Sequence, residues 1–187
     1  RLERAFQQLC AARFGWLAPG LAIFAILGFL SYAPFDAQST EVNALRILRF
    51  GVVTPILLVA TAIGFVKRFR GYWQAQVLAS CFVSLFGAVL VNYLFQGTSP
   101  FGYSTSSYVL NLIVILVGGI LISPISFAKA CVLAATVVLS YTIATLVFVP
   151  DPSITLIGNV FNIAFIAVCC VLAAAWRDAT LRSLFRE

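Results

Sequence analysis

The groups able to carry a proton, a metal or a nucleophile are few in this chain of 187 residues: six carboxylates, five cysteines and no histidine. Cys10, Cys81, Cys131, Cys169 and Cys170 show no CxxC spacing, and no imidazole is present to share a zinc ion or activate a thiolate. They read as small polarizable packing residues, with acylation of Cys10 near a membrane surface as the weaker alternative. Neither a glycine-rich phosphate loop nor a pair of carboxylates placed for acid–base work occurs. This stretch is therefore expected to hold no catalytic residue, no metal and no cofactor.

Carboxamides stand out instead. Asn92, Asn111, Asn159 and Asn162 each interrupt a long apolar run, and Asn159 and Asn162, three apart, share one face of a helix. An amide surrounded by hydrocarbon must find partners. One reading is hydrogen bonding between helices that fixes a bundle. The other is an apolar, aromatic pocket with a few convergent polar groups, suited to a small lipophilic ligand arriving from the outer side. On that second reading the ligand site is Asn92, Tyr93, Tyr108, Asn111, Asn159 and Asn162.

The elements that must position these residues follow from composition. With 62% hydrophobic and 10% charged residues and a mean hydropathy of +1.04, the chain cannot cover itself with a water-facing surface. About 20 apolar residues cross a bilayer as a helix. Six such stretches are expected, near residues 15–33, 47–66, 72–95, 108–122, 125–149 and 154–176, the fourth being short. The first is too long, and lacks a small-residue cleavage site, to be a removable signal peptide. The fold class is thus all-α: a polytopic six-helix bundle, multi-pass in a plasma or inner membrane.

Orientation comes from Lys and Arg, which are retained on the cytoplasmic side. With the N-terminus inside, that side holds Arg1, Arg4, Arg13, Lys67, Arg68, Arg70, Lys129, Arg177, Arg182 and Arg186, leaving Arg46 and Arg49 opposite. Both termini are then cytoplasmic, and Lys67, Arg68 and Arg70 lock the topology of a short inner loop. They also suit anionic lipid headgroups. The net charge of +6 is this topology signal rather than a nucleic-acid footprint. No carboxylate falls inside a span, which argues against a proton-coupled pump.

Within the spans, Ser80, Ser84 and Ala88 recur every fourth residue and are expected to let a neighbouring backbone approach. Gly118 and Gly119 should do the same or bend their helix, and Pro55 should kink the second span. Residues 1–14 place Leu2, Phe6 and Leu9 at helical spacing, an amphipathic helix lying on headgroups or on a partner element. At the other end nothing stops the sixth helix: Trp176 suits the interface, Arg177 begins the cytosolic part, and Leu181 and Leu184 continue an apolar face. Residues 177–187 are expected to begin a signalling helix, with a frayed terminal helix as the alternative. The chain has no Met, so Arg1 is not read as a natural start and a longer protein is expected.

The stretches "RLERAFQ", "LRILRFGVVTPILL", "FVKRFRGYWQAQ", "SYVLNLIVILVGGILISPISFAKACVLAA" and "WRDATLRSLFRE" together resemble the six-helix membrane region of bacterial class III adenylate and guanylate cyclases. That module also precedes diguanylate cyclase and histidine kinase domains. The resemblance runs over essentially the whole chain. It implies a homodimeric, receptor-like anchor whose sixth helix leads into a cytosolic domain using ATP or GTP with Mg or Mn. No residue of such a catalytic domain has a matching position here. A stand-alone six-span channel or transporter is the competing expectation; it requires a polar path to both faces, for which Thr61, Gln74, Gln76 and Ser80 are the main residues in the inner halves of the spans.

Overall fold

The computed structural model describes residues 2–31, 33, 42–95, 105–148 and 154–186, and among them every regular element is helical. α1 spans Leu2–Phe14 and α2 Leu17–Ser31, meeting at a 44° bend. Gly15 makes that bend possible: its N–H donates to the Ala11 carbonyl at 3.0 Å, and a Cβ there would sit 2.4 Å from the same oxygen. Any side chain would collide with the backbone it closes on. Pro19 then falls in the first turn of α2, where the missing N–H costs nothing.

α3, Val42–Phe65, is one long helix with a π-helical stretch over Ile47–Val53. There the Thr54 N–H reaches back five residues to the Arg49 carbonyl. One extra residue is thereby accommodated just before Pro55, so the proline's lost donor coincides with a turn already widened. A 3₁₀ turn, Lys67–Tyr72, leads to α4, Trp73–Phe95. α5 covers Thr105–Leu116 and closes in a second π-helical turn, Val117–Ile122. α6 is Phe127–Phe148 and α7 Ile154–Arg186.

Val42–Phe65, Lys67–Val91, Phe127–Ala144 and Ile157–Phe185 are each long and apolar enough to cross a bilayer; α1 with α2 adds a fifth if the bent pair is one span. Val109–Ile122 is apolar but shorter, as its sequence foretold. The outer surface carries large apolar side chains such as Phe24, Leu58, Phe86, Ile143, Phe161 and Phe165. A skin of this kind suits lipid.

α4 is the central element, touching α2, α3, α5 and α6. Two packed clusters meet on it. The larger joins α4, α5, α6 and α7 through Leu85, Leu112, Leu116, Ile120, Leu133 and Ile163. The smaller joins α2, α3 and α4 through Ile26, Leu45, Leu48, Val53, Leu57 and Val91. Close approach is bought by glycine, as expected for Gly118 and Gly119. A Cβ on Gly119 would lie 2.6 Å from Leu133 Cδ2 and 2.7 Å from Cys81 Sγ, and one on Gly64 2.9 Å from Pro19 Cδ. Gly87 likewise meets Phe29 and Val53.

Candidate ligand cavity and exit-helix junction

Along the seam between the two clusters lies a cavity of about 90 Å³. α2 supplies Leu21, Phe24 and Gly28, α3 supplies Arg49, α4 supplies Ser80 and Ser84, and α5 supplies Asn111 and Val114. Leu21 and Gly118, both in the wall, stand close together: a Cβ on Gly118 would come within 3.1 Å of Leu21 Cδ1. Phe24, Gly28 and Val114 are exposed, so the cavity opens sideways onto the apolar outer surface. A Cβ on Gly28 would meet nothing within 4 Å, which keeps that side of α2 clear.

The polar residues of the wall are of two kinds. Arg49 is 1% exposed; its Nη1 donates to the Phe29 carbonyl and its guanidinium carbon lies 5.9 Å from the centre of the Phe29 ring. Ser80 and Ser84, 2% and 5% exposed, have hydroxyls with no hydrogen-bond partner among the described residues. The buried Thr54 hydroxyl is likewise without a partner among the described residues, whereas four other threonines are satisfied. Thr61, Thr136, Thr142 and Thr180 each donate to the carbonyl four residues back at 2.8–2.9 Å, as hydroxyls in apolar helices ordinarily do. The two serines make no such bond among the described residues, and their hydroxyl oxygens are fully enclosed. Ser80, Ser84 and Ala88, read from the sequence as a contact seam, are all buried on α4 and also border the cavity.

A second constellation joins α5 to α7. Arg177 Nη1 donates to the carbonyls of Ile120 (2.8 Å) and Leu121 (3.1 Å), and Nη2 to that of Ile125 (3.1 Å). Carbonyls at a helix end lack intrahelical partners, and a cation there also meets the negative end of the helix dipole. Ser123 completes the closure, its N–H and Oγ both donating to Gly118 O, at 3.2 and 3.1 Å. One turn of α5 thus borders the cavity at Gly118 and is held by Arg177 from the other side.

Further along α7, Arg182 pairs with Asp178 at 3.2 Å and lies 5.0 Å from the centre of the Phe6 ring. Phe6 and Phe185 meet edge to face at 5.5 Å. The apolar face of α1 is therefore seated on the end of α7. The Lys129 ammonium donates to Gln74 Oε1 at 2.6 Å, tying α6 to α4 nearby.

Of the expected ligand residues, Asn111 borders the cavity. Asn159, half-buried, and Asn162, exposed, lie on α7, none of whose described residues lines the cavity. Asn92, Tyr93 and Tyr108 sit on described helix backbone, at the end of α4 and the start of α5, with side chains outside the described residues. Trp176 and Leu184 are exposed, Leu181 packs on the main cluster, and Lys67, Arg68 and Arg70 project from the 3₁₀ turn. Sequence reasoning missed Arg49 and the two serines as wall residues. The signal existed for Arg49, since a cation in an apolar run is a functional candidate by default. No known protein family, curated protein or solved structure matches the chain.

Proposed function

We propose that this chain is the membrane anchor and receptor-like regulatory region of a signalling enzyme, above all a class III adenylate or guanylate cyclase. On this reading it crosses a plasma or inner membrane six times, keeps both ends in the cytosol, and drives a cytosolic domain that forms cyclic nucleotide from ATP or GTP. The observation that carries the reading is the junction of α5 with α7: the same short turn borders the cavity at Gly118 and surrenders its last carbonyls to Arg177. A change in the cavity that shifts this turn moves the helix that leaves the bundle. The shift can be no larger than the ligand's difference in affinity for the two arrangements.

Pairing of two copies is proposed along α7, where Phe161, Phe165, Leu172 and Trp176 form an exposed stripe at helical spacing. The test is to read the frame beyond Glu187 and assay the intact protein for cyclic nucleotide formation, with and without Arg177→Leu. Product formation, altered in the variant, is expected. A frame with no cyclase domain, or an intact protein with no cyclase activity, overturns the reading.

A further inference from the structure

We infer that the bend between α1 and α2 and the Lys67–Tyr72 turn together form a docking surface for the phosphate headgroups of an anionic phospholipid bilayer. The inference rests on the membrane setting proposed above but not on the signalling role.

The basic residues at this end of the bundle divide into two sets. Three have partners within the protein: Lys129 donates to Gln74, Arg177 to three carbonyls, and Arg182 pairs with Asp178. Lys67, Arg68 and Arg70 are exposed, and their side chains make no hydrogen bond, ion pair or ring contact with any described residue. Arg13, in the last turn of α1, is exposed too; among the described residues its side chain meets only the Phe14 ring, 6.0 Å from guanidinium carbon to ring centre. α1 packs on the turn, and a Cβ on Gly15 would lie 3.7 Å from Arg70 Cβ, so the four cations gather at one corner. No Asp or Glu occurs in residues 4–35 or 42–150 to offset them. Glu3, on α1, precedes Arg13 by ten residues, about 15 Å along the axis.

Position names the occupant. The turn joins Val42–Phe65 to the stretch ending at Val91, each apolar enough to cross a bilayer, so its height is that of the bilayer boundary. Its cations stand among large exposed apolar side chains, Phe65, Val66, Phe69 and Tyr72. Trp16 adds an exposed ring at the bend, its indole N–H donating to the Arg13 carbonyl at 3.0 Å. A phosphate ion or an acidic peptide arriving from water would leave that hydrocarbon wet. Headgroups above acyl chains meet both kinds of group: the phosphates face the cations, and the interfacial layer beneath takes the rings.

The experiment uses the chain in phosphatidylcholine vesicles with phosphatidylglycerol mixed equally into both leaflets, so that the readout does not depend on which way the molecule faces. One lipid or the other carries bromine high on its acyl chains, and the signal is the fluorescence quenching that disappears in Trp16→Phe. Brominated phosphatidylglycerol should reach half-maximal quenching at a mole fraction at least about tenfold lower than brominated phosphatidylcholine, a difference that added salt erodes. Lys67→Gln/Arg68→Gln/Arg70→Gln should lose the preference while quenching by brominated phosphatidylcholine stays as in wild type, which shows the variant still seated in the bilayer. Arg68→Gln alone should weaken the preference by up to about fivefold, the worth of one cation near an anionic surface. Lys129→Gln, whose ammonium is already engaged by Gln74, should leave it unaltered. Equal quenching of wild type by the two lipids would overturn the inference and leave the membrane setting standing; quenching by neither would overturn both. Retention of the preference in the triple variant, or a loss in Lys129→Gln as large as in Arg68→Gln, would also overturn it, the second by assigning the effect to net charge. So would abolition of the preference by inorganic phosphate at constant ionic strength, which would make the site one for a soluble anion.

Discussion

Arg177 satisfies three backbone carbonyls with one planar group, and that geometry makes it hard to replace. Arg177→Leu should lower stability by about 1–3 kcal/mol, the worth of charge-assisted hydrogen bonds at a half-buried site, as read by unfolding in mixed micelles. Arg177→Lys should recover less than half of that, because a single ammonium lacks the fork that spans Ile120, Leu121 and Ile125; full recovery would show that charge alone matters. The serines predict the opposite sign. Removing an unsatisfied buried hydroxyl removes its desolvation cost, so Ser80→Ala and Ser84→Ala should leave stability equal or raise it by up to about 1 kcal/mol each in ligand-free protein. A loss of more than about 1 kcal/mol would mean the hydroxyls have partners after all.

At the level of elements, glycine separates contact from open space. Gly119→Ala should cost about 1–3 kcal/mol, since its Cβ must displace Leu133 or the Cys81 sulfur. Gly20→Ala, with nothing within 4 Å, should instead gain up to about 1 kcal/mol from helix propensity. Comparing the two melting temperatures checks both. The π-helical stretch of α3 offers a sharper test. Deleting Gly51 would restore ordinary α-helical register and turn everything before it by about 100° relative to Pro55 and beyond. Arg49 would then leave the cavity for the apolar surface, and the protein should accumulate poorly in membranes; normal yield would argue that the widened turn has no positional purpose. Much of this layer was readable from sequence. Apolar run lengths located the helices, and the paired glycines announced the tight crossing of α5 with α4 and α6. The π turns were not readable, because residues 47–53 are equally compatible with an unbroken helix. Nor was the cavity: whether a seam on α4 borders a gap depends on how its neighbours are spaced, which no periodicity within α4 encodes.

For the whole molecule, charge decides the way the bundle faces. Lys67, Arg68 and Arg70 project outward and none is paired with a carboxylate among the described ion pairs. Changing all three to Gln should therefore leave packing intact while raising the fraction of inverted molecules, measured by membrane-impermeant labelling of a single introduced surface cysteine. No change in labelling would assign the topology to the remaining basic residues. The choice among output domains was beyond the sequence for a plainer reason: spans share one composition whatever they serve.

The seating of Phe6 on Phe185 has a consequence for how the molecule is made. It joins the first described helix to the last, across nearly the full length of the chain, so it cannot form until α7 has left the ribosome. Synthesis proceeds from the N-terminus, and α1, though it can already pack on the Lys67–Tyr72 turn, must wait with Phe6 unpaired until α7 is placed. Closure of that pair thus follows placement of α7, and protection of Phe6 from labelling reports that the described helices have come together.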